Sequence, residues 1–261
     1  MPKMTEPERL AKMYVKNDTV STRMGLHDKY SVNKYGWNNW VFDQYAFRDG
    51  MSILELGCGP GGIWLGRDDR MPKDAKIILS DFSALMVEKA RSLLKDYPAF
   101  SFEQIDIQNI PYDDASFDIV IANHMLYHVP DQEKALWQIY RVLKAGGCFY
   151  STTLGRNSLK ELQDIYRKLE DKASFSYSEN ASFTLENGAG LLGRYFSGIE
   201  QRQYIDSLQV TDMDDLMAYI KSYNEIPDSI HDALRALVQN GFSKDGVFYI
   251  QKEQGMFICK K

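Results

Sequence analysis

Between residues 52 and 154, five short apolar runs alternate with stretches whose apolar residues recur at helical spacing, and the first run breaks into glycine as LELGCGPGG, residues 54–62. No other feature restricts the fold as much. Apolar runs bounded by turn residues and separated by amphipathic helices make parallel strands joined by crossovers, in a sheet covered on both faces. Strands are predicted at 52–56, 76–80, 100–105, 117–122 and 148–154, with a helix from Gly61 onward between the first two. In SALMVEKARSLLKDY, Leu85, Met86, Ala90, Leu93 and Leu94 share one helical face. DQEKALWQIYRVLK is a second amphipathic helix, stopped by Ala145, Gly146 and Gly147, where glycine takes the left-handed terminal position.

The texture differs outside this block. Residues 1–50 mix Tyr14, Tyr30, Tyr35, Trp37, Trp40, Phe42 and Tyr45 with polar residues, which predicts two or three helices and no strand. Residues 156–197 read as helix, the polar stretch ASFSYSENASFT, then helix. Residues 199–208 read as a strand, MDDLMAYIKSY and IHDALRALVQNGF as helices, and VFYIQKEQGMFICKK as two strands turning at Glu253, Gln254 and Gly255. The division expected is a helical cap at 1–50, a ligand-binding core at 51–155, a helical lid insertion at 156–198, and a sixth and seventh strand with their helices at 199–261.

Composition removes several function classes. The chain has 261 residues, 44% hydrophobic and 26% charged, with a formal net charge of −5. No basic field draws in a phosphate backbone, so nucleic acid is not an expected partner. The opening MPKMTEPERLAKMY has no apolar central run and no later stretch resembles a membrane span, so a soluble, cytoplasmic protein without a membrane partner is expected. Cys58, Cys148 and Cys259 are widely spaced and odd in number, which suggests reduced thiols, two of them in strands, with neither a disulfide framework nor a zinc knuckle.

In an open parallel sheet, ligands bind beyond the carboxyl ends of the strands, so the turns after Leu56, Ser80, Ile105 and Ala122 should share one crevice. Gly57, Gly59 and Gly62 spell G-x-G-x-x-G, a spacing that also arises wherever a chain must turn sharply. Two neighbours argue against a dinucleotide. Glu55 puts a carboxylate where a pyrophosphate would approach, and Pro60 removes a backbone N–H that phosphate would use. Asp81, after the second strand, suits the two hydroxyls of a ribose, as in any adenosine compound.

Taken together, E-x-G-C-G-x-G at Glu55 to Gly61, the acid Asp81, the acid Asp106 in QIDIQNIPYDDASFDIVIANHMLYHVPD, and RVLKAGGCFY resemble a class I S-adenosylmethionine-dependent methyltransferase. The resemblance covers about a hundred consecutive residues in four loops. It points to the bacterial small-molecule branch, with relatives of the ubiquinone and menaquinone methyltransferases. Ala145 stands where that family usually has proline. The resemblance implies a Rossmann-like α/β fold: a seven-stranded, mostly parallel sheet with an antiparallel last strand supplied by GMFICKK, helices on both faces, and a helical lid from the N-terminus and from the insertion after the fifth strand.

Carried over residue by residue, it implies that Glu55 and the Gly57, Cys58, Gly59 and Gly61 turn hold the methionine part of S-adenosylmethionine, with Glu55 near its amino group. Asp81 grips the ribose, Phe82 packs on the adenine, and Met86 either finishes that wall or belongs to the helix core. Asp106 accepts from the adenine amino group, the Ile107 backbone meets a ring nitrogen, and Asn123 stands beside the methionine moiety. The working register is then Glu55, Gly57, Gly59, Gly61, and the match through Gly62 is accidental.

Methyl transfer from a sulfonium is an in-line displacement, so the protein positions, desolvates and, where needed, removes a proton. His124 and His128 in HMLYH stand at the mouth of the crevice. They are ordinary histidines, a metal pair, or a base that orients the acceptor; H-x-x-x-H lacks the glutamate of H-E-x-x-H and an evident third ligand, and no metal is assigned. Tyr30 and Trp37 lie in an aromatic segment that either packs on the sheet or covers the sulfonium, with Tyr30 and Tyr35 as donors to the cofactor carboxylate. The sequence after the fourth strand, NHML, lacks the [DN]-P-P-[YFW] of amino-directed nucleic-acid methyltransferases and the Pro-Cys of cytosine-C5 enzymes. The function expected is therefore methyl transfer to a small organic acceptor, with S-adenosylhomocysteine as product, by a monomer or homodimer. A nicotinamide-dependent oxidoreductase and a non-catalytic S-adenosylmethionine-binding module are the alternatives.

Overall fold

The computed structural model describes residues 17–169, 181–223 and 226–261; the opening segment through Lys16 and most of the Ser/Asn-rich stretch lie outside them. Seven strands form one sheet: β1 (Ser52–Leu56), β2 (Lys76–Asp81), β3 (Phe100–Gln104), β4 (Phe117–Asn123), β5 (Leu143–Leu154), β6 (Ser197–Val210) and β7 (Phe248–Lys260), in the order β3-β2-β1-β4-β5-β7-β6. The helices are α1 (Asn17–Tyr30), α2 (Trp37–Asp43), α3 (Ala84–Leu93), α4 (Gln132–Val142), α5 (Lys160–Arg167), α6 (Gly188–Leu192), α7 (Met213–Tyr223) and α8 (Asp228–Asn240). β1 to β5 are parallel, with Leu56 beside Ser80 and Glu55 beside Ile121. β7 runs against them: Gly146 N–H donates to Lys261 O at 3.1 Å while Gly155 N–H donates to Glu253 O at 2.9 Å, so one strand's numbers rise as the other's fall. The mostly parallel sheet with an antiparallel last strand is the one the sequence predicts.

The chain forms two compact units, one of residues 37–154, 182–203 and 255–261 and one of residues 1–36, 155–181 and 204–254. In the first, alternate strand residues Ile53, Ile77, Leu79, Ile119 and Ile121 build one buried face, closed by Phe42, Trp64 and Tyr150. Each fully buried Ile or Leu contributes about 1.5–3 kcal/mol. Asp131 caps α4 by accepting from Lys134 N–H at 2.9 Å. In the second unit, Leu162, Leu216, Tyr219, Leu234 and Ile250 form the core, α1 packs along α7, and Asp212 caps α7 by accepting from the N–H groups of Asp214 and Asp215. There the Lys252 ammonium is buried 2.5 Å from the Asp206 carboxylate, which also accepts from Ser31 and from Asn33 N–H. Among the described residues no helix is long and apolar enough to cross a membrane.

Three local expectations are corrected. The helix from Gly61 does not form: the segment turns irregularly as far as a single 3-10 turn at Asp68–Arg70, because Gly61 and Gly66 are left-handed and Trp64 is drawn back into the core. Ala145 to Gly147 does not follow a helix end. α4 stops at Val142, and the three residues are already in β5, where left-handed Gly146 accompanies a register irregularity against β4. The terminal hairpin is one continuous strand. Gly255 is not left-handed, and a Cβ there would lie 2.3 Å from Arg202 O, so this glycine serves close approach of β6 rather than a turn.

Candidate functional site

After β1 the chain adds β2 and β3 on one side and then places β4 on the other, so β1 and β4 flank the switch point where open sheets have their ligand crevice. Three strand ends meet there: the glycine turn after Leu56, Asp81 at the end of β2, and Asn123 at the end of β4. Gly57, Gly59 and Gly61 have φ of 69°, 55° and 79°, values that favour glycine, whereas Gly62 is not left-handed. A Cβ at Gly57 would lie 2.9 Å from Met125, and one at Gly61 2.8 Å from Leu94, while one at Gly59 meets nothing within 4 Å. The turn therefore packs tightly at its two ends and is open at its middle.

Its amide groups are internally engaged. Cys58 N–H donates to Ser80 O at 2.8 Å, Gly59 N–H to Asp81 Oδ2 at 3.0 Å and Gly61 N–H to Cys58 O at 3.1 Å; Pro60 has none. Asp81 also accepts from Ser83 N–H at 2.8 Å, and burial pushes its carboxyl above the ordinary value against those two donors. Burial, with help from Glu55 and Asp81, pushes the Cys58 thiol far up, so it is inert at neutral pH.

Glu55 is 1% exposed. Its Oε2 accepts from the Trp64 indole N–H at 2.5 Å and its Oε1 from Asn123 Nδ2 at 3.0 Å. Burial raises its carboxyl to about 7, Trp64 and Asn123 pull the other way, and the Asp81 charge adds to the rise. Asn123 Nδ2 also donates to Tyr45 Oη at 2.8 Å, and Asn123 Oδ1 accepts from the Thr152 hydroxyl at 3.3 Å. Tyr45 is buried in the same cluster, and its hydroxyl is pushed well above the ordinary value by that burial and by Glu55.

His124 follows directly, left-handed at φ 48°, its N–H donating to Thr152 O and Oγ1 at 3.1 and 3.0 Å. The kink leads into a short 3-10 turn at Leu126–His128 and lays Met125 over Gly57. The His124 ring is 5.1 Å from Trp37, which stacks on Trp40 at 5.3 Å, and the His128 ring is 4.5 Å from Tyr127. Among the described residues no three His, Cys, Asp or Glu side chains are grouped to hold a metal ion. Phe82 is 54% exposed and Met86 is buried. Asp106 accepts from Gln108 N–H and Nε2 at 2.9 and 3.1 Å, followed by buried Ile107.

The structure thus gathers Glu55, the glycine turn, Asp81, Asn123 and His124 at one end of the sheet. Tyr30 belongs to the second unit, where its hydroxyl donates to Asp215 at 2.7 Å. Sequence reasoning missed Trp64, Tyr45, Thr152 and Met125. Tyr45 and Thr152 carry no motif, Met125 stands inside HMLYH with no role assigned to it, and Trp64 had a faint signal, an aromatic nine residues after Glu55 in a segment broken by glycines.

A family model described as a methyltransferase domain matches residues 47–205, well over half of the chain. The chain is 35% identical over 123 residues to a malonyl-acyl-carrier-protein O-methyltransferase of Enterobacter lignolyticus, covering 46% of this chain and 45% of that one. It is 30% identical over 140 residues to a ubiquinone/menaquinone biosynthesis C-methyltransferase of Idiomarina loihiensis, covering 52% of each. The chain thus spans about half the length of these curated relatives. Among solved structures, a phosphoethanolamine N-methyltransferase of Haemonchus contortus in complex with S-adenosyl-L-methionine superposes with a TM-score of 0.56 at 18% identity, covering 87% of this chain and 53% of that one.

Proposed function

The chain belongs to the methyltransferase-domain family, and from that premise we propose that it transfers a methyl group from S-adenosylmethionine to a small organic acceptor. The observation that carries this reading is the state of the turn amides. From Cys58 to Gly61 every N–H is taken up within the protein or absent, so these residues offer a pyrophosphate nothing to bind, while the glycine backbone stays open at Gly59.

The residues fit the cofactor. Asp81 accepts only two backbone N–H groups, and a carboxylate has lone pairs left for ribose hydroxyls. Phe82 has an uncovered ring for the adenine, Asp106 and Ile107 stand after β3 for its edge, and Met86 backs the wall. Gly57, Cys58, Gly59 and Gly61 would carry the amino-acid part, with Glu55 and Asn123 behind it. When bound, S-adenosylmethionine supplies an activated methyl group on a sulfonium. The protein's own part is to hold the acceptor in line and, where the acceptor carries a proton, to accept it. His124 and His128 are proposed for that role, because a neutral imidazole carries a nitrogen that can accept a proton.

The two relatives are named as an O- and a C-methyltransferase, which supports the small organic acceptor as a class and neither atom in particular. Calorimetric titration with S-adenosylhomocysteine and with NADH tests the reading. Binding of the first and not the second is expected; the reverse would establish the dinucleotide alternative.

A further inference from the structure

We propose that Trp64 is a positioning residue of the cofactor site, whose indole N–H fixes the Glu55 carboxyl, and with it the glycine turn, for the cationic amino group of the ligand. The inference rests on the methyltransferase reading and adds a residue outside the motifs that led to it. Trp64 is fully buried among Phe42, Tyr45, Phe47 and Phe100, with ring centroids 5.4–6.5 Å away. Its backbone N–H donates to Gly61 O at 3.1 Å, and its indole reaches back to Glu55 at 2.5 Å. The turn between Glu55 and Trp64 is thereby closed by a side-chain bond.

The polarity of that bond is imposed from the other side of the site. His124 N–H is a backbone donor and cannot accept, so Thr152 Oγ1 receives it and passes its own proton on to Asn123 Oδ1. This orients the Asn123 amide with its Nδ2 toward Glu55 Oε1 and Tyr45 Oη. An indole nitrogen likewise can only donate. Glu55 therefore faces donors on both oxygens, an arrangement that favours the carboxylate over the acid. Opposing it are burial and the Asp81 charge. The remaining titratable neighbours, Cys58 and Tyr45, are held neutral by burial, and Arg67 faces Tyr45 with a favourable charge. With the carboxyl raised to about 7, loss of one donor tips it toward the neutral form, which attracts an ammonium group less.

Trp64→Phe keeps a ring in the aromatic surroundings and removes only the donor. Carbon-13 NMR of the Glu55 carboxyl should show its midpoint rising by about one pH unit, the equivalent of one charge-assisted hydrogen bond. S-adenosylhomocysteine affinity at pH 7 should fall about fivefold and approach the wild-type value above about pH 9, as the shifted titration requires. An unmoved midpoint overturns the proposal, and so does a moved midpoint with an unchanged pH profile of binding, which would confine Trp64 to the fold. If the variant does not fold, the wild-type Trp64 indole N–H resonance decides: it should move with pH at the Glu55 midpoint, and a pH-independent resonance overturns the proposal. Failure of the wild type to bind S-adenosylhomocysteine at any pH removes the methyltransferase reading, a result separable from the carboxyl titration.

Discussion

Replacing Glu55 by Gln should remove a pH-dependent weakness from the ligand-free protein. The folded carboxyl titrates at about 7 and the unfolded one near 4.5, because burial penalises the charge more than Trp64 and Asn123 reward it. Between these values the folded state keeps a proton the unfolded state has lost, so stability falls as pH rises through 4.5 and levels off above 7. A gap of about 2.5 pH units at about 1.36 kcal/mol per unit gives about 3 kcal/mol. The amide introduced by Glu55→Gln cannot titrate, and whatever it loses against Asn123 is the same at every pH. The stability of the variant relative to wild type should therefore rise by about 3 kcal/mol between about pH 4.5 and about pH 8, and titrations of other residues cancel in the difference. Urea unfolding followed by tryptophan fluorescence is the suitable assay, since Trp37, Trp40, Trp64 and Trp137 all lie in the unit that contains Glu55. A difference that stays constant across that range would refute the reasoning, because it would mean that the Glu55 carboxyl titrates in the folded protein as it does in the unfolded chain.

Three further outcomes follow from the geometry. Gly57→Ala should cost roughly 1–2 kcal/mol from its left-handed backbone alone, more from the contact with Met125, and should abolish cofactor binding, while Gly62→Ala should change thermal stability and affinity little; equal effects would mean the register ends at Gly62. Asp81→Ala removes the acceptor of the Gly59 N–H and the proposed ribose contact, so S-adenosylhomocysteine affinity by calorimetry should fall at least about tenfold, two charge-assisted bonds being involved. In the second unit, Lys252→Met leaves the buried Asp206 carboxylate without its cation and should destabilise by about 3–5 kcal/mol in denaturant unfolding, and adding Asp206→Leu should recover much of the loss.

How much of the site was legible depends on the range of the interaction behind each part. Glu55, the three glycines, Asp81 and Asn123 occupy the strand-end positions expected of them, because strand ends follow from local apolar periodicity and a parallel sheet brings the ends of its strands together. Trp64 was hidden inside an expected helix, and its bond to Glu55 exists only once the chain has left the helical path. Thr152 and Tyr45 enter through strand pairing and packing across 29 and 78 residues. No periodicity encodes such contacts.

By itself, then, the sequence determined the run of parallel strands with crossovers and the sharp glycine turn after the first of them, because hydrophobic alternation and backbone sterics act over a few residues. Tertiary structure alone decided that Gly255 lets β6 approach instead of turning the chain, since the atom that forbids a side chain there, Arg202 O, is brought by another strand. It also decided the state of Glu55. Its ionisation is set by burial, by an indole from the far side of the turn and by an amide whose direction is dictated two hydrogen bonds away, and each of these depends on groups that meet only in the folded protein.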